Sequence, residues 1–264
     1  MSSMNLTEIY AQKACVATAH RGASGLYPEN TLLAMTKAVQ FGADLIEFDL
    51  RLTADGVPVV LHDATIDRTS DGKGEPGAYT LAELRKFNFS HYRSIWGERL
   101  EFPSYAAMAI PTFEDILAAL HDKVCMNIQV YDSSELSLKK ICGLYRDYNM
   151  FDRGFLAMSS FEEAEAVRKI DPEVEVAVLG AWALRATTPE LKRCREFGCR
   201  FVQPPIETLT DETFDVCREL GLYANVFFAD TDTQIRELVR KGAAGILTNR
   251  IDILRETLDS IDPA

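Results

Sequence analysis

The chain has 264 residues, 47% hydrophobic and 26% charged, a soluble composition with too little apolar bias for a membrane-spanning protein. Its 40 Asp and Glu outweigh 28 Lys and Arg, for a formal net charge of -12; this speaks against a sequence-independent grip on nucleic acid or on an anionic membrane surface, and any anionic ligand must be met by local cations. No stretch approaches the roughly 18 apolar residues of a membrane span, and the first residues lack the basic start and apolar core of an export signal. The cysteines, Cys15, Cys125, Cys142, Cys194, Cys199 and Cys217, form no CxxC pair or zinc-like cluster, so reduced thiols and a cytoplasmic location are expected.

In chain order, short apolar runs alternate with helical patterns. Predicted strands are 14–19 (ACVATA), 43–50 (ADLIEFDL), 124–130 (VCMNIQV), 154–160 (GFLAMSS), 173–180 (EVEVAVLG), 200–205 (RFVQPP), 223–228 (YANVFF) and 245–248 (GILT). Between them lie helix signals: one helix beginning after Asn30 and ending at Gly42, one starting at Thr112 with acids in its first turn, and one in LTDETFDVCRELG near residue 209. Eight strands alternating with helices predict an α/β fold of the TIM (β/α)8 type, with residues 1–264 as one barrel domain.

Two segments break the rhythm. VPVVLH at 57–62 follows strand 43–50 too closely for a parallel crossover, and Asp55-Gly56 between the runs predicts a hairpin excursion that brings His62 level with Glu47 to Asp49. Residues 64–110 are too long for an ordinary barrel loop and predict a small inserted subdomain, with a helix in TLAELRKF from Thr80. Its aromatics Phe87, Phe89, Tyr92, Trp96, Phe102 and Tyr105 would form a small core of its own or line a cleft.

Active sites of such barrels are built at the C-terminal ends of the strands. The first predicted strand ends in His20-Arg21-Gly22 and the second in Glu47-Phe48-Asp49, whose carboxylates share a face by the strand period of two. The hairpin ends in His62-Asp63. Two imidazoles, a guanidinium and two carboxylates suit phosphodiester cleavage. The carboxylates hold a divalent ion, Arg21 and the ion neutralise phosphate oxygens, and the histidines shuttle protons. Each group also has a plainer reading: a histidine beside an arginine is more often structural, and paired acids can be a solvated strand end.

The segments HRGASGLYPENT (20–31), GADLIEFDLRLTADGVPVVLHD (42–63) and IDRTSDGKG after it closely resemble the glycerophosphodiester phosphodiesterase family. So do IPTFEDIL (110–117), NIQV (127–130), FVQPP (201–205) and GAAGILTNRID (242–252). The resemblance implies a TIM barrel with an insertion after the second histidine, and hydrolysis of glycerophosphodiesters to sn-glycerol 3-phosphate and an alcohol. It implies His20 and His62 as general base and acid in an order the sequence leaves open, Arg21 as phosphate ligand, and Glu47 and Asp49 as ligands of one Mg²⁺ or Ca²⁺. Attack is by water or by the glycerol 2-hydroxyl through a cyclic phosphate.

The sequence departs from the family pattern where Asn-Ile-Glu-Ile-Lys is usual. Gln129 replaces a metal-binding Glu and Tyr131 a Lys near the phosphate, changes that leave the formal charge of the site unaltered. An amide oxygen is a weaker ligand than a carboxylate, and a tyrosine stays neutral near pH 7. Gln129 is therefore the expected third metal ligand and Tyr131 a substrate contact. Phe227 stands where a Trp is usual, as an apolar substrate wall, and Thr248-Asn249-Arg250-Ile251 stands for Thr-Asp-x-Pro. These changes point to a different leaving alcohol. Glu29 and Asn30, just before a helix, read as capping residues, Gly22 and Pro28 as loop-shaping, and Asp63 as either orienting His62 or starting a turn. His91 and His121 have no motif context. The expected partner is a small phosphodiester, with no nucleic acid and no membrane insertion; the oligomeric state is not readable. The other readings are a barrel that binds a phosphodiester or phosphosugar without turnover, and a diesterase that acts on a sugar-phosphate diester or leaves a cyclic phosphate.

Overall fold

β-Branched and apolar runs bounded by glycines and polar turns form nine strands among the described residues: β1 (Val16–His20), β2 (Leu45–Leu52), β3 (Pro58–Val60), β4 (Cys125–Val130), β5 (Gly154–Met158), β6 (Val176–Val178), β7 (Phe201–Val202), β8 (Tyr223–Phe227) and β9 (Gly245–Thr248). The structure, a computed structural model, describes residues 5–90 and 105–261. Eight of the strands are parallel, in the order β6-β5-β4-β2-β1-β9-β8-β7. β6 and β7 come together without a ladder and complete a nearly closed barrel wrapped by helices. The expected TIM barrel is the observed architecture.

The predicted hairpin is present. β3 pairs antiparallel with β2 in the register Leu50 with Val60 and Leu52 with Pro58, and Gly56 at the turn has φ +74°, a backbone that glycine adopts without a Cβ penalty. The Leu61 N–H donates to the Asp49 carbonyl at 3.0 Å, which brings His62 to the Glu47–Asp49 end of β2.

Strand periodicity sorts the barrel interior into layers. At the N-terminal end Val16, Leu45, Cys125, Phe155, Ala177 and Phe201 make an apolar floor. The helix Leu6–Gln12 covers it with Leu6, Ile9 and Tyr10. Two residues further along the strands the buried side chains turn polar: Thr18, Glu47, Asn127, Gln203 and Asn225. The outer faces of the strands pack Ala17, Ile46, Phe48, Ile128, Leu156 and Ile246 against the helices in the main core.

The helix expected after Asn30 runs Leu32–Gln40 and is capped by the Thr31 hydroxyl, which accepts from the Ala34 N–H. The one from Thr112 starts at Phe113 with a capping box to Asp115. LTDETFDVCRELG holds the helix Thr213–Leu220, ending in a left-handed Gly221. The insertion helix is shorter than TLAELRKF suggests. Thr80 and Glu83 form a capping box, but after Leu84 the Lys86 and Phe87 N–H groups bond three residues back, tightening the chain into a turn. Phe87 and Phe89 pack there with Val59, Leu61, Ile66, Leu84 and Ile110. The Tyr105 hydroxyl donates to the Leu26 carbonyl. His91, Tyr92, Trp96 and Phe102 lie outside the described residues. No helix among the described residues is long and apolar enough to cross a membrane.

The six cysteines form no disulfides with one another and are buried. Burial pushes the thiols of Cys15 and Cys125 up to about 12 and those of Cys142 and Cys217 up to about 11. The folded protein is therefore expected to give almost no reaction with a thiol-exchange dye at pH 8 and to titrate six thiols in denaturant. Rapid colour without denaturant would contradict this packing.

Candidate active site

The upper polar layer opens into a cleft of about 420 Å³ at the C-terminal ends of the strands. His20, Arg21, Glu47, His62, Gln129, Tyr131 and Phe227 all line it, together with Trp182, Arg185 and Phe228. Asp49 is in contact with this set but is not itself part of the wall.

The loop after β1 is built by close packing. Gly22 has φ +78°, and a Cβ there would sit 2.5 Å from the Ala34 carbonyl carbon, so only glycine fits. Arg21 beside it is left-handed at φ 53°, a conformation that costs a non-glycine residue about 1–2 kcal/mol. It turns the Arg21 N–H onto Glu47 Oε2 at 3.1 Å. The guanidinium is buried, with Nη1 donating to Glu29 Oε1 at 2.8 Å and Nε 3.3 Å from Asp49 Oδ2.

Glu29 and Asn30 do not cap the helix, because Thr31 does. Glu29, 5% exposed, accepts from Arg21 and from both Nη atoms of Arg68 at 2.7 Å. Asn30 donates to Asp49 Oδ2 at 2.9 Å. Arg68 also donates to both Asp63 oxygens, and Asp63 Oδ1 lies 2.7 Å from His62 Nδ1. Asp63 thus orients His62. Burial would raise its carboxyl, but the bonds from His62 and Arg68 hold it well below the usual range.

The two histidines differ in their partners. His20 Nδ1 is 2.7 Å from Asn249 Oδ1, while Asn249 Nδ2 donates to Asp230 Oδ2. That second bond fixes the amide with its oxygen toward the ring, so Nδ1 carries the proton and Nε2 is left as the acceptor. His20 Nε2 is 3.9 Å from Glu47 Oε2. Burial, then the charge of Arg21, pushes the ring well below its ordinary value and keeps it neutral.

Glu47 is pushed the other way. Burial, then the Asp49 carboxylate, holds its proton well above the usual range, with Arg21 offsetting only part. Among the described residues, the carboxylates of Glu29, Asp49 and Asp63 pair with the two guanidiniums of Arg21 and Arg68, and Glu47 adds a fourth carboxyl beside them. Asp49 Oδ1 is buried and without a partner among the described residues. Gln129 Nε2 donates to Tyr131 Oη at 2.8 Å, which leaves Gln129 Oε1 as an acceptor at the cleft with no partner among the described residues. No three His, Cys, Asp or Glu groups among the described residues form a metal cluster. Two carboxyl groups, one with an oxygen that lacks a partner, and one amide oxygen nevertheless fit a divalent ion.

The two departures at β4 thus bond each other. Tyr131 lies under the Arg51 guanidinium at 4.5 Å and edge-on to His62 at 5.4 Å, and Arg51 donates twice to the His62 carbonyl. Asn249, Asp230, Arg68 and Arg51 were not singled out in the sequence as partners of the histidines. Only the unusual Thr-Asn pair at 248–249 signalled one of them. His121 caps its own helix, Nδ1 lying 2.9 Å from the Leu117 carbonyl.

The sequence profile of the glycerophosphoryl diester phosphodiesterase family matches residues 20–253. The chain belongs to this family. A glycerophosphodiester phosphodiesterase of Caldanaerobacter subterraneus subsp. tengcongensis is 28% identical over 88% of this chain and 92% of its own length. One from Bacillus subtilis is 26% identical over 91% and 85%. Among solved structures, a glycerophosphoryl diester phosphodiesterase homologue from Silicibacter pomeroyi superposes with TM-score 0.83 at 19% identity, covering 94% of each chain. An Oleispira antarctica phosphodiesterase in complex with the product sn-glycerol-3-phosphate gives 0.77 at 21% identity, covering 92% of this chain and 96% of its own. These structures agree with the phosphodiesterase family in fold.

Within this family member, Glu29 joins the β1 loop to the insertion. Burial pushes its carboxyl up, but Arg21 and Arg68 win and hold it below its ordinary 4.5. Its contribution to stability is therefore full above that pH and lost as pH falls below it. Glu29→Gln is expected to cost about 3–5 kcal/mol in urea unfolding at pH 7, with the deficit shrinking toward pH 3. An equal deficit at both pH values would show that the ion pairs are not its cause.

Proposed function

We propose that this chain hydrolyses a glycerophosphodiester to sn-glycerol 3-phosphate and an alcohol. The observation that carries the reading is the meeting of His20 and His62 in one cleft, each with Nδ1 held by a different partner and Nε2 free for proton transfer. A barrel that only bound its ligand would need neither group. The product complex of the Oleispira antarctica phosphodiesterase supports the same substrate class.

In this mechanism His20 is the base. Its neutral Nε2 takes the proton from the attacking hydroxyl, of water or of the glycerol 2-position, as the new P–O bond forms. His62 is the acid: its ring rests on the Asp63 carboxylate, and Nε2 gives a proton to the leaving alkoxide as the old P–O bond breaks. If the 2-hydroxyl attacks, water opens the cyclic phosphate in a second step with the roles exchanged. Glu47, Asp49 and Gln129 would hold one divalent ion, Mg²⁺ or Ca²⁺, which when bound neutralises charge on the nonbridging oxygens. Arg21 contributes its positive charge and Phe227 an apolar wall. Tyr131 offers its phenol to the substrate while orienting Gln129. Buried reduced thiols suit a cytoplasmic setting.

The test is release of glycerol 3-phosphate by metal-stripped protein with Mg²⁺, Ca²⁺ or Mn²⁺ restored. His20→Ala is expected to lower turnover by about 10²–10⁴-fold while still binding glycerol 3-phosphate. Unchanged turnover in this variant would remove the base assignment. Gln129→Glu is expected to lower the metal concentration for half-activation by about tenfold; equal activity of stripped and restored protein would exclude the metal role.

A further inference from the structure

Among the described residues, the guanidiniums at the cleft mouth are already engaged, with one exception. Arg21 is held by Glu29 and Asp49, Arg68 by Glu29 and Asp63, and Arg51 by the His62 carbonyl and the Tyr131 ring. Arg185 lines the same cleft with no carboxylate partner among the described residues. Among the described residues its one hydrogen bond, from Nε to the Gly180 carbonyl, is long at 3.4 Å, and neither Nη group has a partner there.

Topology places this cation. Around the barrel the strands run β1, β2, β4, β5, β6, so the segment after β6 faces the β1 loop across the mouth. His20 and Arg21 lie on one side and Arg185 on the other, so a diester held at the histidines would have one of its two arms on the Arg185 side. Aromatic rings shape that side. The Arg185 guanidinium sits 5.3 Å from the centre of the Trp182 ring and 5.7 Å from that of Phe227, and the two rings meet edge-on at 5.1 Å.

An aromatic pair at the mouth would ordinarily attract a quaternary ammonium. Here a protein cation already occupies those faces. A choline or ethanolamine head would meet positive charge, whereas an anion would meet an unpaired, partly desolvated, planar donor set. We propose that Arg185 binds a negative charge on the leaving alcohol, so that the substrate is a glycerophosphodiester with an anionic head, a carboxylate or a phosphate monoester. Glycerol itself is uncharged, so the charge belongs to the leaving group. The inference rests on the hydrolytic reading above and adds the substrate class.

The test compares kcat/KM of the metal-restored enzyme for glycerophosphoglycerate, glycerophosphoglycerol phosphate and glycerophosphocholine. The first two carry the carboxylate and the phosphate monoester respectively. The natural protein is expected to favour an anionic head by about tenfold or more, as a charge-assisted hydrogen bond provides. Arg185→Ala should collapse that ratio, Arg185→Glu should invert it, and Arg185→Lys should restore most of it. A ratio unmoved by Arg185→Ala, a preference for choline in the natural protein, or an equal loss on all three substrates would overturn the proposal. Should no diester be cleaved, the hydrolytic reading fails by itself. Calorimetry then decides the inference: the anionic esters must bind the natural protein more tightly than the choline ester, and Arg185→Ala must erase the difference.

Discussion

The buried carboxylate of Glu29 is the interaction on which the site depends. It accepts two hydrogen bonds from Arg68 and one from Arg21, and a charge taken this far out of water is tolerable only with such saturation. Arg21 belongs to the loop after β1, Arg68 to the insertion, and Arg68 reaches His62 through Asp63. One carboxylate therefore ties the loop that follows His20 to the arginine that holds the partner of His62.

This linkage explains what the sequence could and could not reveal. Alternation of period two and the Asp55-Gly56 turn identified the strands and the hairpin because both are local properties of the backbone. The site residues His20, Glu47, Asp49 and His62 were legible because each stands at a strand end. Glu29 and Asn30 were misread as caps because their partners, Arg68 and Asp49, are distant in sequence. Arg185 gave no signal: it follows the short strand β6, in a stretch whose 3-10 turn at Trp182–Leu184 carries no motif. Its significance comes from which groups fail to pair with it, and only tertiary structure can display that.

The departures at β4 are also a matter of pairing. Gln129 on β4 and Tyr131 just past its end are two residues apart in extended chain, and here Gln129 Nε2 donates to Tyr131 Oη. Reverting either residue alone would disturb both. A carboxylate at 129 would need the phenol as donor instead of acceptor, and a lysine at 131 would lie beneath the Arg51 guanidinium that now stacks on the Tyr131 ring. Gln129 and Tyr131 thus act as one hydrogen-bonded unit.

A similar economy distinguishes the histidines. Asp230 reaches His20 only through the Asn249 amide, which takes the carboxylate's negative charge at Nδ2 and offers the ring a neutral oxygen. The tautomer is fixed without an anion against the imidazole. His62 instead touches the Asp63 carboxylate directly, and that carboxylate is itself held by Arg68. Two identical side chains in one cleft are given different neighbours, a neutral amide oxygen at His20 and a carboxylate at His62, and the proposed roles of base and acid rest on that difference. An aspartate at 249 would erase the difference, since both rings would then rest on carboxylates.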